Sequence, residues 1–288
     1  MKFREEMFKK NFEPLAHKSS PVTLYDLSRQ DDAFDAAMAE KGPKDGWRIS
    51  DDGVIGGYSK GKLDMIRTSA DYKRWVAGEA LQDVFRDFEK ENQQGGREGS
   101  PEIGDEDKGD SQIPFVPFIR WTGKIDTTIG LTSDAHRSGF AAIRTTEYPY
   151  GGANLQGLYN ALEIVCRTDG RVYTVNLKVS SFFPGDMYQG YINVPATHPG
   201  SSKICPDTGF GFERLVLPFN KFALTAFGRL RDIQRELDND VEIIHIGFTL
   251  MDGQDGDFQF DLARIRAVNF DGYSIRGDEI DEPVKIAR

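Results

Sequence analysis

Gly170-Arg-Val-Tyr-Thr-Val-Asn-Leu-Lys-Val179 is the stretch whose reading decides the fold. Tyr173, Val175, Leu177 and Val179 fall on one face of an extended chain, and Thr174, Asn176 and Lys178 fall on the other. This alternation predicts a strand with one buried face. Asp169-Gly170 is a turn signal, and Leu162-Glu-Ile-Val-Cys-Arg167 before it is strand-like, so the pair reads as a central hairpin. The face carrying Thr174, Asn176 and Lys178 points away from the core, and what it faces is a functional question.

Outward from this pair the same period recurs. Strands are expected at residues 21–27, 118–125, 139–144, 188–194, 212–217, 242–250 and 257–268, punctuated by Gly, Pro and Asp. Short extended pieces with several glycines fill residues 47–61. No regular strand–helix alternation appears, so the fold class is all-β, a sandwich running from about residue 22 to 270. Short helices are expected around Phe34, Ala37 and Met38 and over residues 228–237, where Leu230, Ile233 and Leu237 share a helical face. Residues 1–21 read as an N-terminal extension with a short helix, and 271–288 as a tail. An insertion interrupts the sandwich at about 69–112. Tyr72, Trp75, Val76, Leu81, Val84, Phe85 and Phe88 recur there at helical spacing. Its second half, 89–112, is rich in Gly, Gln, Asp and Glu with one aliphatic residue, Ile103, and is expected to be disordered.

The 288 residues carry a net charge of −10, so the chain as a whole has no general affinity for nucleic acid. No apolar run approaches the roughly 18 residues of a membrane span. The two cysteines, Cys166 and Cys205, form neither a metal-type pair nor a disulfide framework, and Cys166 reads as a small buried hydrophobe.

Chemistry-bearing motifs are sparse. Gly57-Tyr-Ser-Lys-Gly61 matches the G-x-S-x-G pattern, but strand-like Leu63 and Met65 follow where a nucleophile elbow needs a helix, so a plain turn is expected. His17, His136, His198 and His245 have no histidine or cysteine at ligand spacing, and His245, inside an apolar strand, reads as a hydrogen-bonded structural residue. Asp252-Gly-Gln-Asp-Gly-Asp257 and Asp51-Asp52-Gly53 read as tight turns in preference to calcium sites. No Gly-rich phosphate loop is present. Catalytic, cofactor-binding and metal-ligating residues are therefore expected to be none. Arg229, Arg231 and Arg235 form the most concentrated positive feature outside the termini, and with Asn176 they are the candidate protein-docking residues.

Seven ordered blocks then carry a resemblance. They are Trp47 with Ser50-Asp-Asp-Gly53, Ile55-Gly-Gly-Tyr-Ser59, Ser138-Gly-Phe-Ala-Ala-Ile143, residues 169–178, Leu217-Pro-Phe-Asn-Lys-Phe222, residues 228–237, and Ile246-Gly-Phe-Thr-Leu250. Together they resemble the complex I intermediate-associated protein 30 family. The resemblance implies a galactose-binding-like jelly-roll β-sandwich and a non-enzymatic, chaperone-like assembly factor for mitochondrial respiratory complex I. It implies action on an early membrane-arm intermediate, on the matrix side of the inner membrane. Implied partners are other complex I assembly factors, among them an acyl-CoA-dehydrogenase-type flavoprotein, with membrane contact through those partners and no cofactor. A carbohydrate-binding module of the same fold is the alternative, with Trp121, Tyr188 and Tyr191 as candidate sugar-stacking aromatics.

Overall fold

Alternation at residues 173–179 becomes burial: Tyr173, Val175 and Leu177 are fully enclosed, Val179 nearly so, and Thr174 and Lys178 are half-exposed. A computed structural model of the chain describes residues 21–27, 46–67, 116–129, 138–148, 152–155, 159–196, 204–205, 209–237, 242–272, 275 and 285–286. The strands are β1 (Val22–Asp26), β2 (Trp47–Asp51), β3 (Lys60–Ile66), β4 (Phe118–Ile125), β5 (Ala141–Thr145) and β6 (Ala153–Asn154). They continue with β7 (Ala161–Thr168), β8 (Tyr173–Val179), β9 (Asp186–Ile192), β10 (Ile204–Cys205), β11 (Gly209–Phe210) and β12 (Glu213–Pro218). The last are β13 (Ala223–Ala226), β14 (Arg229–Leu230), β15 (Glu242–Leu250), β16 (Gly256–Val268) and β17 (Lys285–Ile286).

All but β10 and β11, which pair with each other in a separate two-stranded sheet, form the expected β-sandwich. A seven-stranded sheet runs β17-β12-β7-β16-β4-β3, with β1 also on β16, and an eight-stranded sheet runs β14-β13-β9-β8-β15-β5-β2, with β6 on β15. Pairing is antiparallel except between β12 and the short β17. The inner faces share one core, in which Trp121 and Phe260 of one sheet meet Tyr173 and Phe248 of the other. Ring centroids lie 5.9 Å apart for Trp121–Tyr173, 4.8 Å for Tyr173–Phe260 and 5.0 Å for Phe248–Phe260. Aromatic contacts of this kind add stabilisation beyond the area they bury.

Two expectations are corrected. β7 and β8 are not a hairpin: β7 pairs with β12 and β16, whereas β8 pairs with β9 and β15 in the facing sheet. A two-residue Asp-Gly hairpin needs positive φ at both turn residues. Here Gly170 has φ +88° and Asp169 does not share it. The Asp169 carboxylate instead accepts from the Arg171 N–H at 3.0 Å, the Tyr173 hydroxyl at 3.0 Å and the Gln259 N–H at 2.8 Å. Those bonds carry the chain across the core from one sheet to the other.

The second correction concerns residues 228–237, which are not a helix. Phe227 and Gly228, at φ +52° and +74°, form a tight turn that folds Arg229 and Leu230 back onto Ala226 and Thr225 as β14. The Gln234 side chain then serves as one more edge partner, accepting from the Leu224 N–H at 2.8 Å and donating to the Leu224 carbonyl at 2.9 Å. Leu230 and Ile233 face solvent, and only Leu237 of the three reaches the core. Among the described residues the helical turns are two short 3-10 segments, Asp52–Ile55 and Phe219–Lys221. The expected helices at 1–21, 34–38 and 72–88 and the acidic stretch 89–112 lie outside the described residues, as does nearly all of the tail.

The polar phase of the seven-stranded sheet is buried as well. Asp261, on β16, is fully enclosed and accepts from Arg120 Nε at 2.7 Å and Nη2 at 2.8 Å, and from Arg167 Nε at 2.8 Å. The Arg167 guanidinium also lies 4.7 Å over the Phe212 ring. Glu163 on β7 is likewise enclosed, accepting from Arg214 Nη2 at 2.8 Å and Arg266 Nε at 2.9 Å.

Candidate functional site

At one edge of the eight-stranded sheet, two neighbouring turns carry side chains that the core does not take. The β8–β9 loop presents Phe182 and Phe183, 92% and 52% exposed, with ring centroids 5.4 Å apart. The β13–β14 turn presents Phe227, 87% exposed, followed by Leu230 and Ile233 at 67% and 80%. Large apolar residues gathered at one place on a surface mark an interaction site far more often than scattered ones do.

The loops that hold them are rigidly pinned. Asp186, at the start of β9, is fully buried and accepts from Ser181 Oγ at 2.9 Å and from Arg231 Nη2 at 2.7 Å, with Arg235 Nη2 at 3.4 Å. Burial pushes the Asp186 carboxyl up, but the Arg231 and Ser181 hydrogen bonds and the nearby guanidinium charges outweigh it and hold the group below the ordinary aspartate range. Lys178 Nζ donates to the carbonyls of Asp186, at 2.9 Å, and Pro184. The Arg231 guanidinium also lies 4.9 Å over the Phe183 ring. Phe227 itself sits in the left-handed region, uncommon for a bulky residue and paid for elsewhere in the fold. Its ring rests on Gly185, where an added Cβ would lie 2.6 Å from the ring.

The structure thus brings Arg229, Arg231 and Arg235 together around a shallow groove of about 570 Å³, with Phe183, Leu230 and Ile233 along it. Arg229 is exposed, and among the described residues its guanidinium has no ion-pair partner. Asn176 lies elsewhere, on the open face of the same sheet. Its Nδ2 donates to Thr249 Oγ1 at 2.8 Å and its Oδ1 accepts from Gln189 Nε2 at 2.8 Å, so it clasps β8 to both neighbouring strands. The exposed phenylalanines were missed by sequence reasoning. Phe182-Phe183 falls in a loop between strands, but so does the buried Phe219, so no local signal distinguishes it.

The remaining motif residues are structural. Ser59 is buried and donates to Asp52 Oδ2 at 2.9 Å. Asp52 also accepts from the N–H groups of Ser59 at 2.8 Å and Gly139 at 2.6 Å. Gly57 lies against this carboxylate, and an added Cβ would come within 2.3 Å of Asp52 Cγ. Gly57→Ala is therefore expected to displace Asp52 and cost about 1–3 kcal/mol, read as a lowered denaturant midpoint with an unchanged slope. Asp252 is occupied by Arg171, at 2.6 and 2.8 Å, which ties the β15–β16 turn to the β7–β8 link. Among the described residues no group of His, Cys, Asp and Glu is placed to hold a metal ion.

His245 differs from expectation. It is half-exposed opposite Lys178, and its Nδ1 is buried without a hydrogen-bond partner. Burial, with the Arg144 and Lys178 cations, pushes its pKa down to about 4. Of the three aromatics that a sugar platform would use, Trp121 and Tyr188 are core residues, and only Tyr191 is exposed. His17, His136 and His198 lie outside the described residues.

The fold is a pinned two-sheet β-sandwich with one apolar, arginine-bearing tip. The chain belongs to the complex I intermediate-associated protein 30 family, whose sequence profile matches residues 108–262, just over half of its length. It is 25% identical over 170 residues to the mitochondrial complex I intermediate-associated protein 30 of Neurospora crassa, a match covering 56% of each chain. It is 31% identical over 134 residues to the mouse protein of the same name, covering 45% of this chain and 38% of that one. The matched stretch thus spans about half, or less, of each relative. Among solved structures, a family 11 carbohydrate-binding module from Clostridium thermocellum, in complex with a mixed-linked tetrasaccharide, aligns with 87% of this chain and 97% of its own. Its TM-score is 0.39 at 11% identity. An agarase aligns with 85% of this chain and 26% of its own, with a TM-score of 0.37 at 9% identity.

Proposed function

We propose that the chain is a non-catalytic scaffold in the assembly of mitochondrial respiratory complex I. It holds an early membrane-arm intermediate from the matrix side of the inner membrane, together with other assembly factors, an acyl-CoA-dehydrogenase-type flavoprotein among them. Family membership supports the assembly role, and one observation supports docking as the mode of action: the pinned tip carrying Phe182, Phe183, Phe227, Leu230 and Ile233 with Arg229, Arg231 and Arg235. A rigid sandwich presenting such loops can work by binding alone. The motif residues that could suggest catalysis, Ser59 and Asp52, are spent on holding turns together.

Removing the gene from an organism that has complex I, and resolving native respiratory complexes on a gel, tests the reading. Complex I should fall selectively, with partial membrane-arm intermediates accumulating and the other complexes unchanged. Complex I at normal abundance in that strain would refute the scaffold.

A further inference from the structure

The tip has a surface chemistry that identifies its immediate contact. Phe182 and Phe227 stand on turns at 92% and 87% exposure, outside the groove that Phe183, Leu230 and Ile233 line. A protein hot spot of this size would gather its apolar groups around a pocket or a flat, packed patch. Projecting aromatics with arginines set behind them instead suit a fluid interface. The rings enter the acyl boundary while the guanidinium groups stay at the level of the phosphates. Charge points the same way: three arginines, Arg229, Arg231 and Arg235, and two aspartates, Asp186 and Asp232, line the groove, in a chain whose net charge is −10. Arg231 and Arg235 share the buried Asp186, and among the described residues Arg229 has no ion-pair partner. Among the described residues no helix is long and apolar enough to cross a membrane.

We infer that this tip binds an anionic phospholipid surface directly, inserting Phe182 and Phe227 between headgroups with Arg229 and Arg235 against lipid phosphates. The inference rests on the docking role proposed above and names what that tip touches. Direct lipid contact would hold the scaffold flat against the bilayer in which a membrane-arm intermediate is built, leaving the open face around Asn176 free for protein. Two weak anchors, apolar insertion and basic attraction, act together in such a contact, and it should weaken with salt.

The test is flotation of the full chain with phosphatidylcholine vesicles, with and without phosphatidylglycerol. The chain should float with the anionic vesicles, less so with neutral ones, and less so as salt rises. The double variant Phe182→Ser/Phe227→Asn should lose binding by about tenfold or more at an unchanged melting midpoint. Asparagine is chosen because it tolerates the left-handed backbone of that turn. Arg229→Glu should reduce the preference for anionic over neutral vesicles. Phe182→Trp should show a blue-shifted emission on anionic vesicles only. Failure of the unaltered chain to float, or equal flotation of the double variant, overturns the lipid contact. If complex I still falls in the deletion strain while vesicles fail to bind, the tip contacts protein and the scaffold stands. If vesicles bind while complex I is normal, the lipid contact stands and the scaffold falls.

Discussion

Asp261→Ala should unfold much of the protein, lowering the thermal midpoint by about 10 °C. The carboxylate is fully enclosed and satisfies two guanidinium groups, Arg120 with no exposure and Arg167 with 5%. Removing it leaves two cations packed against Phe118 and Phe212 with their shared acid gone. Breaking a buried pair by deleting one partner costs roughly 3–5 kcal/mol, a large share of the roughly 5–15 kcal/mol that holds a domain together. Replacing all three groups with apolar residues of similar volume should recover most of the loss, because the ions' own desolvation disappears with them. The acid limb of the stability curve offers a second check. Burial pushes the Asp261 carboxyl up, but the Arg167 and Arg120 charges and hydrogen bonds outweigh it and hold the group below its ordinary range. Its contribution is therefore present above the unfolded-state value of about 4 and is lost as pH falls through the lower folded value. Asp261→Asn should flatten that part of the curve. An unchanged acid slope in the variant would assign the loss to other carboxylates.

This network shows where sequence reading stops. Alternation puts Arg120, Arg167, Arg214, Glu163 and Asp261 on the polar phase of their strands. Nothing local says that this phase is buried, because burial there is decided by partners more than forty residues away along the chain, such as Glu163 with Arg214 and Arg120 with Asp261. The same limit explains the hairpin error. Residues 162–167 and 173–179 are both strands, as expected, but the choice between pairing and crossing to the facing sheet lies with Asp169, whose carboxylate reaches Gln259. At residues 228–237 the i, i+3, i+7 spacing of Leu230, Ile233 and Leu237 is genuine. The positive φ of Phe227 and Gly228 outweighs it by turning the chain back into a hairpin.

The candidate site was legible in part. Arg229, Arg231 and Arg235 are charges clustered in sequence, and the fold keeps them clustered in space. Their apolar companions come from two segments some forty residues apart, Phe182-Phe183 and Phe227 to Ile233, which meet only because β9 pairs with β13. A phenylalanine exposed on a turn also looks, in sequence, like any core residue. Only its burial in three dimensions separates Phe182 from Phe219.

Asp52→Ala should be nearly as damaging as the loss of Asp261, and for a different reason. The Asp52 carboxylate has no exposure and accepts from five donors: the N–H groups of Ser59, Gly139 and Phe140 and the hydroxyls of Ser59 and Ser138. It therefore fastens the turn after β2 to the segment entering β5, two pieces of chain about eighty residues apart. Each buried donor left without an acceptor costs about 1–3 kcal/mol, so the variant should lose roughly 4 kcal/mol or more. Asp52→Asn separates a hydrogen-bonding role from a space-filling one. Both carboxylate oxygens face N–H donors, so an amide nitrogen in either position would meet another donor, and asparagine should rescue little of the loss. Ser59→Ala removes one donor and the acceptor for the Asp126 N–H, at 3.1 Å, and should cost only about 1–2 kcal/mol. The sign with pH follows from the same contacts. Burial pushes the Asp52 carboxyl up, yet the Gly139 and Ser59 hydrogen bonds hold it below its ordinary value, so its stabilisation fades as pH falls through the folded value. Denaturant midpoints for the three variants, ordered Ser59→Ala mildest and Asp52→Ala most severe with Asp52→Asn close behind, would establish Asp52 as the pin of this corner. A fully stable Asp52→Asn would show that shape alone is what the site requires.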